Sequence, residues 1–388
     1  MLSWPRPSLQ LLLLLIQPAA SSLLPGNATD GVQEVIVAAI LPQTNTSYAW
    51  AWPRVGPALQ AALDRINSDP WLLPGLSLRL VYRNSEDRDG LCSHSMAPLA
   101  AVDLHMDHEP WVFLGPGCTY SSSHVARFTA HWDVPMVTAG AQAWGFWEHG
   151  TVTNTGPTHK KLGQFAARVQ DAFGWRHRAV LLYTRDTGDD GPCFFAAEGL
   201  YNVLLDRNVS TYHHQLHDVD YRALVQDIRD NGRVVYACCS RDVFRTLLVQ
   251  FWRDGVDLKD YVFFFINLFA DGLEDRGPVR PWFRGDSEDR AARLAFRSVK
   301  VLTYYQPPTP QYLQFTEDLK RNAKKMFNFT ITDSVYNMIA GGFYDGLMMF
   351  SQALNETLSQ QRPGPGPVPR PRGDTLTHKM WNRIFPGE

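Results

Sequence analysis

The chain has 388 residues and 45% apolar content, enough for two domains with sizeable cores. Lys and Arg number 37 against 39 Asp and Glu, a formal net charge of -2. No bulk charge therefore draws it to nucleic acid or to an anionic membrane surface.

In chain order, the amino terminus reads as a secretory signal peptide over residues 1–24. Arg6 supplies a positive charge, Leu11–Ile16 an apolar core and Pro18-Ala19-Ala20-Ser21-Ser22 small residues for cleavage. The apolar core is too short to span a bilayer, and no later run reaches spanning length. Asn27, Asn45, Asn208, Asn328 and Asn355 each open an Asn-x-Ser/Thr sequon without proline, as expected of an exported glycoprotein. The 5 cysteines predict two disulfides and one leftover thiol in an oxidising compartment.

Val35–Leu41 reads as a buried strand and Pro53–Asn67 as a helix, with Pro57 in its first turn and Leu59, Ala62, Leu63 and Ile66 on one face. Leu76–Tyr82 alternates as a strand, and a helix follows through Ala97–Met106. Trp111–Gly140 then predicts a strand (Trp111–Leu114), a tight turn, a helix (Ser121–Trp132) and a strand (Val134–Ala139). This succession is a parallel, doubly wound α/β sheet.

The rhythm repeats with helix Lys160–Phe173, strand Ala179–Tyr183, helix Phe194–Leu205, strand Thr211–Leu216, helix Tyr221–Asp230, strand Val234–Cys238, helix Val243–Arg253 and strand Tyr261–Ile266. Asp271–Arg290 reads as a charged surface insertion. Val299–Tyr305 follows as a strand, then helices Tyr312–Phe327 and Ser334–Leu358, and Arg362–Gly373 is a Pro/Gly-rich loop. Two α/β lobes, with the chain re-entering the first after the second, describe a bilobed binding protein with its ligand between the lobes.

Cys92 and Cys118 lie near the carboxyl ends of adjacent predicted elements, and Cys193 and Cys238 at one edge of the second lobe. Those pairs are geometrically sensible, although spacing does not fix connectivity. Cys239 points away from Cys238 in a strand and is the leftover thiol. His105 and His108, and His213, His214 and His217, lack the spacing of a zinc site and read as solvated faces. No GxSxG, GxxxxGK[ST], HRD or DFG is present. The Gly115-Pro116-Gly117 turn is followed by neither a third glycine nor a lysine. Its amides either hold a small anion at a helix start or merely connect strand to helix. Tyr120, Phe128, His131, Trp144, Phe146, Trp147, Phe194 and Phe195 gather near the expected cleft, where most such aromatics serve a core. Arg127, one turn before His131, is placed to meet an anionic or carbonyl-rich ligand.

SYAWAWPRVGPAL (47–59), APLAAVDL (97–104), FLGPGCTY (113–120), ARFTAHWDVPMVTAGA (126–141) and CFFAAEGL (193–200) resemble the natriuretic peptide receptors. So do DYVFF (260–264), RPWFRGD (280–286), FNFT (327–330), FYDGLMMF (343–350) and KMWNRIF (379–385). Phe244–Leu247, RPWFRGD and FNFT lean toward the type A receptor, whereas SYAWAWPRVGP is more like type B and HWDVPM also resembles the clearance receptor.

The resemblance implies an extracellular ectodomain of the type I periplasmic-binding-protein fold that binds a natriuretic peptide between two receptor copies, a homodimer. Its membrane-distal lobe would be residues 32–134 and 280–388, and its membrane-proximal lobe 135–279 without its final segment. Tyr120, Arg127, Phe128 and His131, with Tyr183, Phe194 and Phe195, match hormone-contact positions. Ser85, Gly117 and Cys118 match the family's chloride site, and both family disulfides coincide with the pairs above. The resemblance implies no metal and no cofactor beyond chloride, and no enzyme in this chain. In cyclase members a membrane span, a kinase-homology region and a guanylate cyclase domain would follow, placing the chain on the outer side of the plasma membrane. A soluble or clearance-type decoy is the alternative, secreted if the chain ends at Glu388. Three positions depart from the pattern: His94 stands where an acid is usual, Gln215 where the type A receptor has an acid, and Met106 where the type A dimer contact has tryptophan.

Overall fold

The computed structural model describes residues 32–145, 150–184, 191–269, 280–307, 309–332, 336–360 and 366–385. The expected signal peptide, Asn27, Phe146, Trp147 and most of the 271–290 insertion's first half lie outside the described residues.

The first lobe is built from β1 (Gln33–Leu41), α1 (Trp52–Ser68), β2 (Leu76–Asn84), α2 (Met96–His108), β3 (Val112–Leu114), α3 (Thr119–His131), β4 (Met136–Thr138) and β5 (Val152–Asn154). Its strands are parallel in the order β2-β1-β3-β4-β5. Buried on both faces, β1 reads as an unbroken apolar run. Val35, Val37, Ala39 and Leu41 join one core with α1, while Ala38 and Ile40 join another with Ala97, Ala101, Val125 and Ala126 of α2 and α3. This alternation makes the sheet doubly wound.

The second lobe contains α4 (His159–Phe173), β6 (Arg178–Thr184), α5 (Pro192–Asp206), β7 (Ser210–Leu216), α6 (Tyr221–Asn231), β8 (Val234–Cys238), α7 (Arg241–Arg253), β9 (Val262–Ile266), α8 (Asp289–Ala295) and β10 (Val299–Leu302). Its order is β10-β9-β8-β6-β7, again parallel. Thr158, Asp220 and Ser240 accept backbone N–H groups at the starts of α4, α6 and α7, which is why those helices begin where they do. Helices α4 and α5 meet through Gly163 and Gly199, and a Cβ on Gly199 would stand 2.6 Å from the His159 carbonyl.

After β10 the chain returns to the first lobe as α9 (Pro310–Phe327), α10 (Asn337–Gln360) and α11 (Gly373–Met380). Leu319 and Ala323 of α9, Ile339, Phe343, Leu347 and Phe350 of α10 and Leu376 and Met380 of α11 share the core of α1. The re-entry expected from the sequence is therefore present. The lobe boundaries are not where they were expected: β4 and β5 extend the first sheet past residue 134 to 154, and β10 assigns residues up to 302 to the second. Three short elements escape the sequence reading, namely β5, α8 and α11. Pro53, not Pro57, occupies the first turn of α1, and Pro57 lies within the helix. The expected strand Val299–Tyr305 ends at Leu302. No described helix is long and apolar enough to cross a membrane.

Candidate functional site

The carboxyl end of the first sheet carries a turn that is gripped from several sides. The Ser122 and Thr138 hydroxyls both donate to the Pro116 carbonyl at 2.7 Å, and the Ala141 amide donates to the Gly117 carbonyl at 2.5 Å. Gly115 has φ +79°, and a side chain there would also meet the Ile40 carbonyl, so only glycine serves. Gly117 is required for a different reason: a Cβ would overlap the Trp50 ring. Cys118 is bonded to Cys92, with Cα atoms 6.3 Å apart, and is the residue capping the start of α3.

Most polar groups of this turn are engaged, and three donors near it are not. Among the described residues the amides of Gly117 and Cys118 donate to no carbonyl. The Ser85 hydroxyl, 1% exposed at the end of β2, is without a partner. Two free amides at a helix start and an orphaned hydroxyl form a donor set suited to a small anion and unsuited to a cation. The residues implied for chloride thus fit the group. The neighbouring Glu86 carboxylate is already taken up by the Thr44 and Asn45 amides and the Thr44 hydroxyl.

From this turn α3 projects Tyr120, Arg127, Phe128 and His131, all exposed and spaced to share one stripe. Tyr120 reaches Phe195 of the second lobe, ring centroids 5.4 Å apart. Phe195 meets Phe194 at 5.4 Å, and Phe194 meets Tyr183 at 6.2 Å. The four rings form one chain from lobe to lobe. Phe194 is 44% exposed but Phe195 only 6%, so Phe195 supports the face from beneath. Phe128 lies farther along α3, stacked on Trp132 at 5.5 Å, and Trp132 stacks on His105 at 4.1 Å. Among the described residues no ring contact joins Phe128 to the second-lobe rings. Burial and the Arg370 guanidinium hold the His105 imidazole below its usual range.

Beside Tyr183 and Phe194 a cavity of about 250 Å³ opens between β6, β7 and α5, with Glu198, Tyr201 and His213 on its wall. Burial pushes the Glu198 carboxyl upward. Glu198 and Tyr201 were missed in the sequence. The signal was the α5 spacing, since Phe194, Ala197, Glu198 and Tyr201 share one helical face.

Cys193 and Cys238 are bonded, Cα atoms 5.2 Å apart, tying the start of α5 to the end of β8. Cys239 is free, and burial pushes its thiol up to about 12. Asn208 and Asn328 are exposed in left-handed positions at the ends of α5 and α9. Asn45 instead donates to the Gly90 carbonyl at 3.0 Å, and Asn355, within α10, donates to the Trp71 carbonyl at 3.3 Å. His94 faces His124, rings 6.3 Å apart, and Met106 is 74% exposed. Gln215 lies on β7.

The signature of the receptor family ligand-binding region, ANF_receptor, matches residues 54–387. The chain is similar to atrial natriuretic peptide receptor 2 of Rattus norvegicus, at 40% identity over 388 residues covering 97% of this chain and 35% of that protein. The Homo sapiens receptor 2 is 39% identical with the same coverage, 97% and 35%. Atrial natriuretic peptide receptor 3 of Bos taurus is 31% identical over 366 residues, covering 92% of this chain and 65% of that one. The chain therefore spans only 35% of the length of its receptor 2 relatives. These relatives do not bear out the expected lean toward type A. Among solved structures, an ABC transporter substrate-binding protein from Desulfitobacterium hafniense superposes with a TM-score of 0.57 at 13% identity, covering 90% of this chain and 88% of that one. A putative branched-chain amino acid ABC transporter from Rhodospirillum rubrum gives 0.57 at 15% identity, covering 89% and 88%. At such identities the likeness is one of fold, the periplasmic-binding-protein architecture of two α/β lobes.

Proposed function

Because the chain belongs to the receptor family ligand-binding regions, with natriuretic peptide receptors as its relatives, we propose that it is the hormone-binding ectodomain of such a receptor. The observation that carries this reading is the ring chain Tyr120–Phe195–Phe194–Tyr183, which spans both lobes and borders an apolar cavity. Such a face suits a peptide that offers aromatic or aliphatic side chains, with rigid rings giving contact area at low entropic cost. Arg127 and His131 on the same stripe would meet its carbonyl and acidic groups, alongside Phe128. Glycans at Asn27, Asn45, Asn208, Asn328 and Asn355 and an extracellular location belong to the same proposal.

Chloride is proposed on Ser85, Gly117 and Cys118. A bound halide would receive the Ser85 hydroxyl and the two amides, and so satisfy donors otherwise left unpaired. The peptide would sit between two copies of the chain. His94 and Gln215, in place of acids, would weaken the hold on basic hormone side chains, and Met106 would weaken a dimer contact made by a larger ring.

Output is proposed to run through a membrane span and a guanylate cyclase domain in the whole receptor. A clearance-type or soluble decoy is the second reading. Reading the transcript beyond Glu388 separates them, because cyclase coding sequence supports the first and a short tail the second. The binding test is calorimetry of the glycosylated chain with atrial, B-type and C-type natriuretic peptides in chloride. Saturable heat with at least one peptide is expected, and silence with all three would refute the reading.

A further inference from the structure

The anion nest has a third wall that neither the β2 end nor the Gly115–Cys118 turn supplies. Residues 44–50, between β1 and α1, run across the carboxyl end of the first sheet and are fixed along their length. At one end the buried Glu86 carboxylate accepts the Thr44 amide at 2.8 and 2.9 Å, the Thr44 hydroxyl at 2.9 Å and the Asn45 amide at 2.7 Å. Asn84 Nδ2 adds a longer bond at 3.3 Å. In the middle, the Tyr48 hydroxyl accepts the Cys92 amide at 3.2 Å, and Arg54 Nε donates to the Thr46 carbonyl at 2.8 Å. At the other end the buried Trp50 donates its indole N–H to Cys118 Sγ at 2.9 Å, and its ring occupies the space that a Gly117 side chain would need.

Glu86 directly follows Ser85 and is 4% exposed. A buried carboxylate is costly unless it is fully hydrogen-bonded, and this one is satisfied almost wholly by residues 44 and 45. Burial by itself would raise the Glu86 carboxyl, yet the amides of Asn45 and Thr44 and the Thr44 hydroxyl bring it below its usual range. The sheet contributes only the longer Asn84 bond to this group.

We propose that residues 44–50 are a strap that closes the anion nest, with Trp50 as its wall over Gly117 and Cys118, and that Glu86 is the positioning residue that holds the strap down. The proposal rests on the reading of Ser85, Gly117 and Cys118 as a chloride site. With the strap seated, Trp50 keeps water from the two amides, and hydrogen bonds to a bound halide gain strength in the drier surroundings. Without the Glu86 carboxylate the Thr44 and Asn45 amides lose a charged acceptor, Trp50 is no longer pressed onto the turn, and water competes for the nest.

The test follows the melting temperature of the glycosylated chain against sodium chloride, with sodium gluconate holding ionic strength constant. A saturable rise is expected for the wild type, from which a half-saturating chloride concentration is read. Ser85→Ala should abolish or greatly weaken that rise. Glu86→Gln should raise the half-saturating concentration about tenfold or more, the size of effect that residues behind an ion's ligands exert on its affinity. Thr44→Val, which removes a single hydroxyl bond, should shift it the same way by a smaller factor. A purely structural role would lower the melting temperature at every chloride concentration and leave half-saturation where it was. An unmoved half-saturation in Glu86→Gln, or in Thr44→Val should the first variant fail to fold, overturns the strap. A wild type indifferent to chloride, or a Ser85→Ala variant that responds like it, overturns the chloride reading itself and the strap with it.

Discussion

Replacing Phe194 and Phe195 separately with alanine distinguishes contact from support at the ring face. Phe195 is 6% exposed and touches Tyr120 and Phe194, each at 5.4 Å. Truncating a buried phenylalanine costs about 3–5 kcal/mol, and a junction between lobes can relax, so Phe195→Ala should lie near the lower end, about 3 kcal/mol. At roughly 1–1.5 °C per kcal/mol for a chain of this size, the melting temperature should drop by about 3–5 °C. Phe194 is 44% exposed, so its truncation removes only about 1 kcal/mol of buried surface. As an exposed aromatic on the proposed peptide face, it should cost about 2 kcal/mol of binding or more, some 30-fold in Kd. Thermal melts and calorimetry on the same preparations give both quantities. The reasoning is refuted if Phe195→Ala melts within about 1 °C of the wild type. It is also refuted if Phe194→Ala binds peptide within about threefold of it.

The remaining predictions concern the scaffold. Gly117→Ala forces the Trp50 ring off the turn and strains its bond to Cys118, so it should lose about 2–4 kcal/mol by thermal melting; a neutral effect would mean that Trp50 is freer than its contacts indicate. Arg245 is buried, donating to the Trp282 carbonyl at 2.7 Å and to Asp286 and Asp289 at 2.5 and 3.1 Å. Arg245→Met removes these bonds while Asp289 keeps the Arg284 and Gly285 amides and Asp286 the Glu288 amide, and should cost about 2 kcal/mol, read as a lower urea midpoint. His159 is buried at the start of α4, and burial holds its imidazole down at about 4 against 6.5 for a free one. Between those values the unfolded chain takes a proton that the folded chain refuses. The His159 contribution is therefore complete above pH 6.5 and is lost as pH falls toward 4, by up to about 3 kcal/mol. His159→Gln should flatten the decline in melting temperature across that window, and an unchanged slope would show that another group drives it.

Much of this fold was legible because its elements are long or buried on both faces. β1 announces itself as an apolar run, and α1, α4 and α7 carry one clean apolar stripe each. The three missed elements are short. β5 is Val-Thr-Asn, too few residues for any period to appear. α8 places only alanines and one leucine among charges, and α11 opens on the glycine that ends a Pro-rich loop. The lobe boundaries went astray for the same reason, since β5 and β10 decide them. At the site, ring-bearing residues near the expected cleft could be picked out, but the division of labour between Phe194 and Phe195 could not. Neighbours on a helix are turned by about 100°, and only the packed lobe decides which of them is buried. The Glu86 strap was invisible in the sequence because its partners belong to different loops.

The nest and the ring face are joined by α3. Cys118 caps that helix, Tyr120 is in its first turn, and Phe128 and His131 are in its last. A helix of 13 residues is about 20 Å long and stiff, so whatever seats its amino end orients Tyr120 first and the rest as a body. The nest is closed by buried groups: Ser85, Glu86, Trp50 and a disulfide leave little room for substitution without a cost in stability. Met106 and His94, two of the departures expected from the resemblance, lie outside these buried groups. Met106 is 74% exposed, and the His94 ring lies beside that of His124. Substitution at the exposed positions should therefore cost little in folding, whereas substitution in the nest should cost stability and the aim of α3 together.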